Sequence, residues 1–140
     1  MKIFLDANVL ISVLNSEYPL FTYSSRVLSL ADNKKFKVFT SPVCLAIAFY
    51  FSEKKSGTRI AKQKISLLAQ KLNISNMGKE EVMEACTNEK ISDFEDGLQY
   101  YSAIKSNCEI IITEDKSGFY YSKIRIMGTE EFLLNNFFNR

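Results

Sequence analysis

The chain begins with MKIFLDANVLI (residues 1–11), where an apolar run is interrupted by one carboxylate. The run Lys2–Leu5 is typical of a buried strand, and the pattern from Val9 to Leu14 predicts a helix. Asp6 stands between them, although an isolated ionised carboxylate costs several kcal/mol when it leaves water. We therefore expect Asp6 to end the first strand at a place where it reaches solvent, a cation or hydrogen-bond donors.

Beyond this stretch, short β-rich runs alternate with longer helical patterns, as in an α/β fold with a parallel sheet. Four further strands are predicted, at Lys37 to Thr40, Leu72 to Ser75, Glu109 to Thr113 and Lys123 to Met127. Helices are predicted at Pro19 to Asn33, from Pro42 through the buried run VCLAIAFYF (43–51), from Gly57 to Leu72, at Lys79 to Cys86, at Ser92 to Ser106 and after a capping Thr129. No repeat or flexible linker divides the sequence, so we expect one domain over residues 1–140.

Composition narrows the class of protein. Hydrophobic residues make up 46% of the chain and charged residues 24%, as in soluble globular proteins rather than disordered chains. The longest apolar run is too short to span a bilayer, and Asp6 falls where a signal peptide would need its apolar core. The three cysteines, Cys44, Cys86 and Cys108, are widely spaced and form no CxxC pair. We expect reduced thiols in a cytoplasmic protein without a membrane partner.

The sequence contains no histidine. This excludes a Ser-His-Asp triad, a Cys-His dyad, a histidine general base and histidine-rich zinc sites. Any catalysis must use carboxylates, lysines, tyrosines or thiols, or a metal ion that is held by oxygen ligands.

The net charge of +2 is distributed unevenly along the chain. Residues 34–71 contain nine Lys or Arg and a single acid, Glu53, which gives this stretch a charge of +8 and leaves −6 for the rest. Such asymmetry suits a partner that carries phosphates. A solvated helical surface is the other explanation of the same pattern.

Two aspartates follow predicted strands. Asp6 ends the first strand, and Asp115 lies just past the strand that contains residues 109–113. The carboxyl ends of parallel strands meet at the edge where open α/β sheets place their ligands. We therefore expect these two acids to approach one crevice.

A third group of acids lies in SDFED (residues 92–96). Ser92 and Glu95 match a capping box, which predicts Ser92 as the helix N-cap and Glu95 as the capping glutamate. Asp93 is then the first helical residue and Asp96 the fourth, and both lie on nearly the same face. Asp96 shares its stripe with Gln99, so we expect it to point along the face near the sheet. Alternatively, these acids only complement the helix dipole.

Three aspartates at one edge of a sheet repel one another, which raises their pKa values or demands a cation. Magnesium and manganese are hard divalent ions that accept oxygen ligands. The chemistry suited to such a site is metal-assisted hydrolysis of a phosphodiester, which requires no histidine.

The stretches DANVLI (6–11), DFEDGLQYYSA (93–103) and IIITED (110–115), in this order and with these separations, resemble the PIN-domain family, which is typified by VapC-type toxins of bacterial toxin–antitoxin pairs. The resemblance extends over nearly the whole chain, and D-F-E-D is similar to a variant branch of the family. It implies a three-layer α/β/α sandwich with a central, mainly parallel sheet. It also implies an endoribonuclease that depends on Mg²⁺ or Mn²⁺, cleaves single-stranded RNA and is neutralised by an antitoxin protein, with a homodimer as a common assembly.

The resemblance also assigns roles to individual residues. Asp6, Asp96 and Asp115 match the acids that bind the metal and carry catalysis. Of the two remaining acids in D-F-E-D, we expect Asp93 rather than Glu95 to reach the metal or its waters. The supporting residues are Asn8, which orders the loop beneath the site, and Thr113, whose hydroxyl supports the acids. From the basic stretch we expect RNA contacts by Lys54, Lys55, Arg59 and Lys62.

One position departs from the family pattern. Many members carry a glutamate in the helix after the second strand, where this chain has Ile47. The missing acid implies weaker metal binding, a site completed by Asp93, or an RNA-binding or regulatory protein without turnover. A third hypothesis is a phosphatase that uses Asp6 as a nucleophile, although Asn8 stands where such enzymes carry a second aspartate.

Overall fold

In the computed structural model, which describes residues 1–138, five strands form one parallel sheet in the order β3-β2-β1-β4-β5. The strands are β1 (Lys2–Leu5), β2 (Lys37–Thr40), β3 (Asn73–Ile74), β4 (Ile110–Ile112) and β5 (Arg125–Met127). The predicted α/β class with a parallel central sheet is confirmed, and β3, β4 and β5 are shorter than predicted. The last two residues of the expected single domain lie outside the described part of the chain.

Helices connect these strands in two groups. Within residues 1–138 the α-helices are α1 (Ala7–Leu14), α2 (Leu20–Ser29), α3 (Pro42–Ser56), α4 (Thr58–Lys71), α5 (Lys79–Thr87), α6 (Phe94–Lys105) and α7 (Thr129–Leu133). Contacts link α2 with α1 and α7, and α3 with α1 and α4, whereas α5 packs on α6. Parallel strands are joined by right-handed crossovers, which place the two groups on opposite faces of the sheet. The result is the expected three-layer sandwich.

The centre of the sheet explains why the strand sequences are apolar without alternation. Strands covered by helices on both faces bury every side chain, so they read as continuous hydrophobic runs. Six such side chains are almost fully buried in the two central strands: Ile3, Phe4, Leu5, Ile110, Ile111 and Ile112. At the edge of the sheet, β3 lacks this cover and Ile74 is exposed. The stretch MKIFLDANVLI therefore supplies the central strand around which the sheet forms.

The strand order reverses between β1 and β4. From β1 the chain moves outward to β2 and β3, and then it crosses to the other side of β1 to form β4 and β5. A crevice at such a reversal, beyond the carboxyl ends of the strands, is where open α/β sheets bind ligands. The Asp6 N–H donates to the Ile112 carbonyl at 3.0 Å, which fixes Asp6 beside the end of β4.

The start of α6 differs from the prediction. Asp93, rather than Ser92, is the N-cap, and its carboxylate accepts the Asp96 N–H at 3.0 Å. Asp96 is consequently the third helical residue, and Glu95 is not part of a capping box. Both Ser92 and Asp93 are good N-caps by type. Ile91 packs closely on Gly97, and this tertiary contact accompanies the later start of the helix.

Other element boundaries also differ. The predicted cap Thr129 is the first residue of α7, and Gly128 is the N-cap. Thr129 instead donates its hydroxyl and N–H to Glu114, at 2.6 and 2.9 Å, because it is buried against the loop that follows β4. The segment predicted as one helix at Pro19 to Asn33 ends its α-helical part at Ser29 and continues as a 3₁₀ turn over Leu30–Asp32.

The apolar helix α3 is less buried than its composition indicates. One face, with Cys44, Ala48 and Ser52, is fully covered, whereas Tyr50 and Phe51 are exposed. The helix packs mainly on α1 and α4, and its outer face remains in water. No helix within residues 1–138 is long and apolar enough to cross a membrane.

Candidate active site

The hydroxyl of Thr113 ties the ends of β1 and β4 together. This fully buried group donates to Oδ2 of Asp6 at 2.9 Å. It also accepts hydrogen bonds from the Asn8 side-chain amide at 2.9 Å and the Asp115 N–H at 3.1 Å. Asn8 in turn accepts the Glu114 N–H at 3.1 Å. The network holds the first turn of α1 against the loop that carries Asp115.

Asp6 is a buried carboxylate that is surrounded by donors. It is the N-cap of α1, and its Oδ1 accepts the Ala7 N–H at 2.8 Å and lies 3.8 Å from the Cys44 sulfur. Burial raises the pKa of Asp6 and the negative charge of Asp115 adds to the rise, while the hydrogen bonds lower it. Burial and the charge of Asp6 raise the pKa of the Cys44 thiol to about 12, so the thiol keeps its proton at neutral pH.

Asp96 approaches the same edge of the sheet from the first turn of α6. Its pKa is raised to about 7, first by burial and then by the negative charges of Asp93, Asp6 and Asp115. A carboxylate in this position gains from the helix dipole. Burial and the repulsion among the acids therefore oppose the helix dipole at this position.

Gly118 lies between two of the acids. A Cβ atom at this position would fall 2.5 Å from Oδ2 of Asp96 and 3.5 Å from Oδ2 of Asp115. The two carboxylate oxygens therefore face one small space, which is open because residue 118 has no side chain. Asp115 itself is exposed, and the Ser117 hydroxyl donates to its Oδ1 at 2.9 Å.

The donor set fits a hard divalent ion, although the acids do not form a ready-made cage. Within residues 1–138, no three Asp, Glu or Cys side chains converge closely enough to hold a metal by themselves. Mg²⁺ usually keeps several waters and binds one or two carboxylates, so a closed cage of three acids is not required. Asp96 and Asp115 beside Gly118 provide two such carboxylates, and among the described residues neither forms an ion pair with Lys or Arg.

A buried amide connects the two sides of the crevice. Gln99 lies one turn after Asp96 on α6, and its Oε1 accepts the Ser41 hydroxyl at 2.5 Å. The same Ser41 oxygen is the N-cap of α3 and accepts the Cys44 N–H at 3.0 Å. These hydrogen bonds link α6, one turn after Asp96, to the start of α3, which carries the Cys44 thiol beside Asp6.

The structure places the remaining predicted acids at the margin of this site. Asp93 uses one carboxylate oxygen to cap α6, so its direct approach to a metal stays a prediction. Glu95 is exposed, and burial, followed by the charges of Asp93 and Asp6, raises its pKa. Both residues add negative charge around Asp96.

The face of α3 that meets Asp6 carries a thiol in place of a carboxylate. Cys44 contacts Asp6, and Ile47, one turn further along the helix, is half-buried against the hydrophobic core. Asp6 accepts donors on both of its oxygens, an arrangement that suits a metal ligand or a positioning group better than a phosphatase nucleophile.

The predicted basic surface lies away from the acids. The ammonium group of Lys55 donates to the Asn15 carbonyl, and Lys64 donates to the Leu14 carbonyl at 2.9 Å. Both bonds are made at the C-terminal end of α1, whereas Asp6 is at its N-terminal end. The eight residues of α1 span about 12 Å. Lys55 is therefore hydrogen-bonded to the backbone at the end of α1 that is opposite Asp6.

The other predicted basic residues remain available at the surface. Lys54, Arg59 and Lys62 are exposed, and the Lys54 ammonium lies 4.2 Å from the centre of the Tyr50 ring. Their contact with RNA stays a prediction.

Gly118, Cys44 and Gln99 were not among the residues predicted for the site. Cys44 could have been found by helical spacing, since it lies three residues after the cap Ser41 and three before Ile47. Gly118 follows Asp115 by three residues in a polar loop, but its role depends on Asp96, which is distant in sequence.

Replacing Gly118 with alanine is expected to weaken binding of Mn²⁺ by about 10- to 100-fold. The added Cβ collides with the flexible end of Asp96, so the carboxylate turns away while the fold and the melting temperature change little. Isothermal titration calorimetry with MnCl₂ measures the effect. The matched control is Gly78→Ala, whose Cβ meets its nearest atom at 3.9 Å. Equal Mn²⁺ affinity in both variants and wild type would contradict this role for Gly118.

Comparisons with known proteins agree with this architecture. Residues 2–117 match the sequence profile of the PIN domain. Ribonuclease VapC1 of Aquifex aeolicus (strain VF5) is 31% identical over 138 residues, which covers 94% of this chain and 92% of the relative.

Solved structures are similar in fold. VapBC2 from Rickettsia felis, bound to a DNA fragment from its promoter, matches with a TM-score of 0.68 at 19% identity and covers 91% of this chain and 97% of its own. VapC20 of Mycobacterium tuberculosis, a toxin that cleaves the sarcin–ricin loop, matches with a TM-score of 0.66 at 17% identity. The match covers 88% of this chain and 98% of VapC20. At these identities the structures support the fold alone. The profile match and the relative at 31% identity show that the chain belongs to the PIN-domain family.

Proposed function

We propose that this protein is an Mg²⁺- or Mn²⁺-dependent endoribonuclease that cleaves single-stranded RNA and acts as the toxin of a toxin–antitoxin pair in the cytoplasm. The observation that carries the proposal is the uncompensated negative charge at the strand reversal. Burial and the negative charges of Asp93, Asp6 and Asp115 raise the pKa of Asp96 to about 7, and no ion pair among the described residues neutralises these acids. The ribonuclease activity of the relative from Aquifex aeolicus supports this reading.

Asp96 and Asp115 are the residues that would hold the metal directly, with Asp6 behind them. When bound, the ion supplies an activated water and stabilises charge on the scissile phosphate. Asp6 is kept in place by hydrogen bonds from the Thr113 hydroxyl and the Ala7 N–H. The Thr113 hydroxyl also fixes the Asp115 N–H, which sets the direction in which the Asp115 side chain leaves the loop.

The partners follow from the same proposal. The solved VapBC2 assembly from Rickettsia felis supports an antitoxin protein as the partner of this chain. Lys54, Arg59 and Lys62 are proposed to contact the RNA backbone at a distance from the cleavage site, whereas Lys55 is retained in the fold. A homodimer is also proposed, and the exposed Tyr120 is a candidate contact, whereas Tyr121 is half-buried.

The alternative is an RNA-binding or regulatory protein with little turnover. It is favoured by the Cys44 thiol and the half-buried Ile47 on the face of α3, where a further carboxylate would complete the acidic set. In that case the metal is bound weakly and RNA is held without being cut.

A cleavage assay with Asp115→Asn tests the proposal. Purified protein is incubated with end-labelled single-stranded RNA, with Mn²⁺ or with EDTA. Wild type is expected to cut the RNA with Mn²⁺ only, and Asp115→Asn is expected to be at least about 100-fold slower, because it removes one charged ligand of the metal. Asp115 is exposed, so the variant should keep its melting temperature.

Asp32→Asn is the matched control, since Asp32 forms an exposed ion pair with Lys71 remote from the site. It should cleave like wild type. Cleavage in EDTA, or equal rates in both variants, would refute the metal-dependent mechanism. RNA binding without cleavage by wild type would favour the alternative function.

A further inference from the structure

A cavity of about 340 Å³ opens beside the acidic site, between α6, the loop before it and the segment that follows Phe119. Three tyrosines and two lysines dominate its lining: Tyr100, Tyr101, Tyr121, Lys90 and Lys123. The volume lies within the range of about 300–1,000 Å³ that small-molecule sites occupy. We refer to this cavity as the tyrosine pocket.

The walls of the tyrosine pocket are aromatic and mutually fixed. The ring of Tyr100 packs edge-to-face on Tyr101 at 5.1 Å and on Tyr121 at 5.2 Å between ring centres. Tyr120 packs on Tyr121 at 5.2 Å, and its hydroxyl donates to the Lys90 carbonyl. Such edge-to-face pairs stabilise a defined ring arrangement. These contacts hold the rings in one arrangement in the absence of a ligand.

One hydroxyl of the pocket has no partner. The Tyr101 hydroxyl accepts a hydrogen bond from Asn88 at 2.9 Å, and the Tyr100 hydroxyl accepts the Lys123 N–H at 3.1 Å. Among the described residues, the fully buried hydroxyl of Tyr121 forms no such bond. Buried polar groups are nearly always hydrogen-bonded. Because the Tyr121 side chain belongs to the lining, a small turn of its ring would present this orphan hydroxyl to a ligand in the cavity.

The charges around the tyrosine pocket are positive, in contrast to the neighbouring acids. Lys90 and Lys123 are exposed, and they are the charged residues among those described in its lining. A ligand with a planar, polar ring and an attached phosphate matches aromatic walls, a free hydroxyl and two ammonium groups. This combination is found in a nucleotide.

The pocket is close enough to the acids to act on the same RNA strand. Tyr100 follows Asp96 by one turn of α6, which corresponds to about 6 Å along the helix. The pKa of Tyr121 is raised, first by burial and then by the negative charges of Asp96 and Asp93, which places these carboxylates nearby. Through Phe119 and Gly118, the same chain segment leads directly to Asp115.

We propose that the tyrosine pocket binds one unpaired base of the RNA substrate, adjacent to the phosphate that is presented to the acids. The inference rests on the proposed ribonuclease function. Tyr101 and Tyr121 pack against the base and direct their hydroxyls to its edge, while Lys90 and Lys123 contact the flanking phosphates. Unpaired bases in RNA are commonly recognised by aromatic stacking and edge hydrogen bonds.

Binding of modified RNA tests the proposal. The probe is a fluorescently labelled, ten-nucleotide single-stranded RNA, compared with a series in which one ribose at a time lacks its base. The protein carries Asp115→Asn so that the strand stays intact, and Mg²⁺ is present. Anisotropy is expected to reveal one position at which loss of the base weakens binding by about 5- to 100-fold.

Tyr121→Phe identifies the pocket as the place where that base binds. This variant keeps the ring and removes only the orphan hydroxyl, so the melting temperature should not fall. Affinity for intact RNA is expected to drop about five- to tenfold. The further loss of affinity caused by removing the base should be smaller in this variant than in the parent. Tyr18→Phe, at a highly exposed tyrosine, is the control and should bind like the parent.

Each result decides the question. If Tyr121→Phe binds every RNA as the parent does, the base-binding role of the pocket is refuted, whatever the cleavage assay shows. If binding depends on Tyr121 while the protein with Asp115 intact does not cut RNA, the pocket stands and the ribonuclease proposal fails. Absence of RNA binding by all variants overturns both.

Discussion

Asp96→Asn is expected to lower Mn²⁺-dependent cleavage of single-stranded RNA by at least about 100-fold and, at the same time, to stabilise the metal-free protein at pH 8. The loss of cleavage and the gain in stability have one cause. The charge of Asp96 is held close to Asp93, Asp6 and Asp115, where it is useful to a bound cation and unfavourable without one. Cleavage rates and thermal melting curves in EDTA measure the two effects.

The pH dependence follows from the raised pKa of Asp96. In the unfolded chain the carboxyl ionises near 3.8, whereas in the folded protein it ionises at about 7. Between these values the folded state binds more protons, so the free energy of unfolding decreases as the pH rises. Asp96→Asn removes this contribution. The variant should melt a few degrees above wild type at pH 8 and show no such advantage near pH 4.

Asp32→Asn again serves as the control, because Asp32 is exposed and paired with Lys71. It should change neither cleavage nor the pH dependence of melting. A loss of stability in Asp96→Asn at pH 8 would mean that Asp96 is a structural group of the helix start. In that case the repulsion among the acids would not be the dominant interaction at the site.

Thr113→Val is expected to destabilise the protein by about 2–4 kcal/mol, which corresponds to a fall of roughly 6–14 °C in melting temperature. Valine has nearly the shape of threonine, so packing is retained and only the hydroxyl is lost. Three groups then lose their partner in a buried place: the Asp6 carboxylate, the Asn8 amide and the Asp115 N–H. The loss of a donor to Asp6 raises its pKa further, so the destabilisation should be larger at pH 8 than at pH 5.

Thr113→Ser separates the hydroxyl from the methyl group. It keeps all three hydrogen bonds and removes one buried methyl, so it should cost about 1 kcal/mol. Denaturant unfolding of both variants measures the difference. Equal loss in Thr113→Val and Thr113→Ser would show that Thr113 contributes through packing, and the hydrogen-bond network would then not be what holds Asp6 and Asp115 together.

The residues of the acidic site come from separate local sequence patterns, and only the topology of the chain brings them together. Asp6 and Thr113 are separated by more than a hundred residues, yet they form a hydrogen bond because β1 and β4 are neighbours in the sheet. The sequence predicted that acids follow two strands. The pairing of those strands depends on the crossover from β3 to β4, which no local pattern encodes.

The basic stretch illustrates the opposite outcome. Its charges are adjacent in sequence, but Lys55 and Lys64 are used to satisfy the last carbonyl groups of α1. Carbonyl groups at a helix end need partners, and long lysine side chains can provide them. A charge count cannot distinguish such structural lysines from those available to RNA.

By itself, the sequence determined the α/β class, the existence of each strand, the exclusion of histidine chemistry and the identity of the acids expected at the site. These features depend on local hydrophobic periodicity and residue type, which are properties of short segments. Only the tertiary structure decided that Asp93 caps α6, that Gly118 leaves space between Asp96 and Asp115, that Cys44 faces Asp6 and that tyrosines from two segments enclose a cavity. The cap is a choice between two adjacent residues, whereas the other three features are contacts between segments distant in sequence. Such contacts are set by how the packed helices and strands exclude water from a shared core.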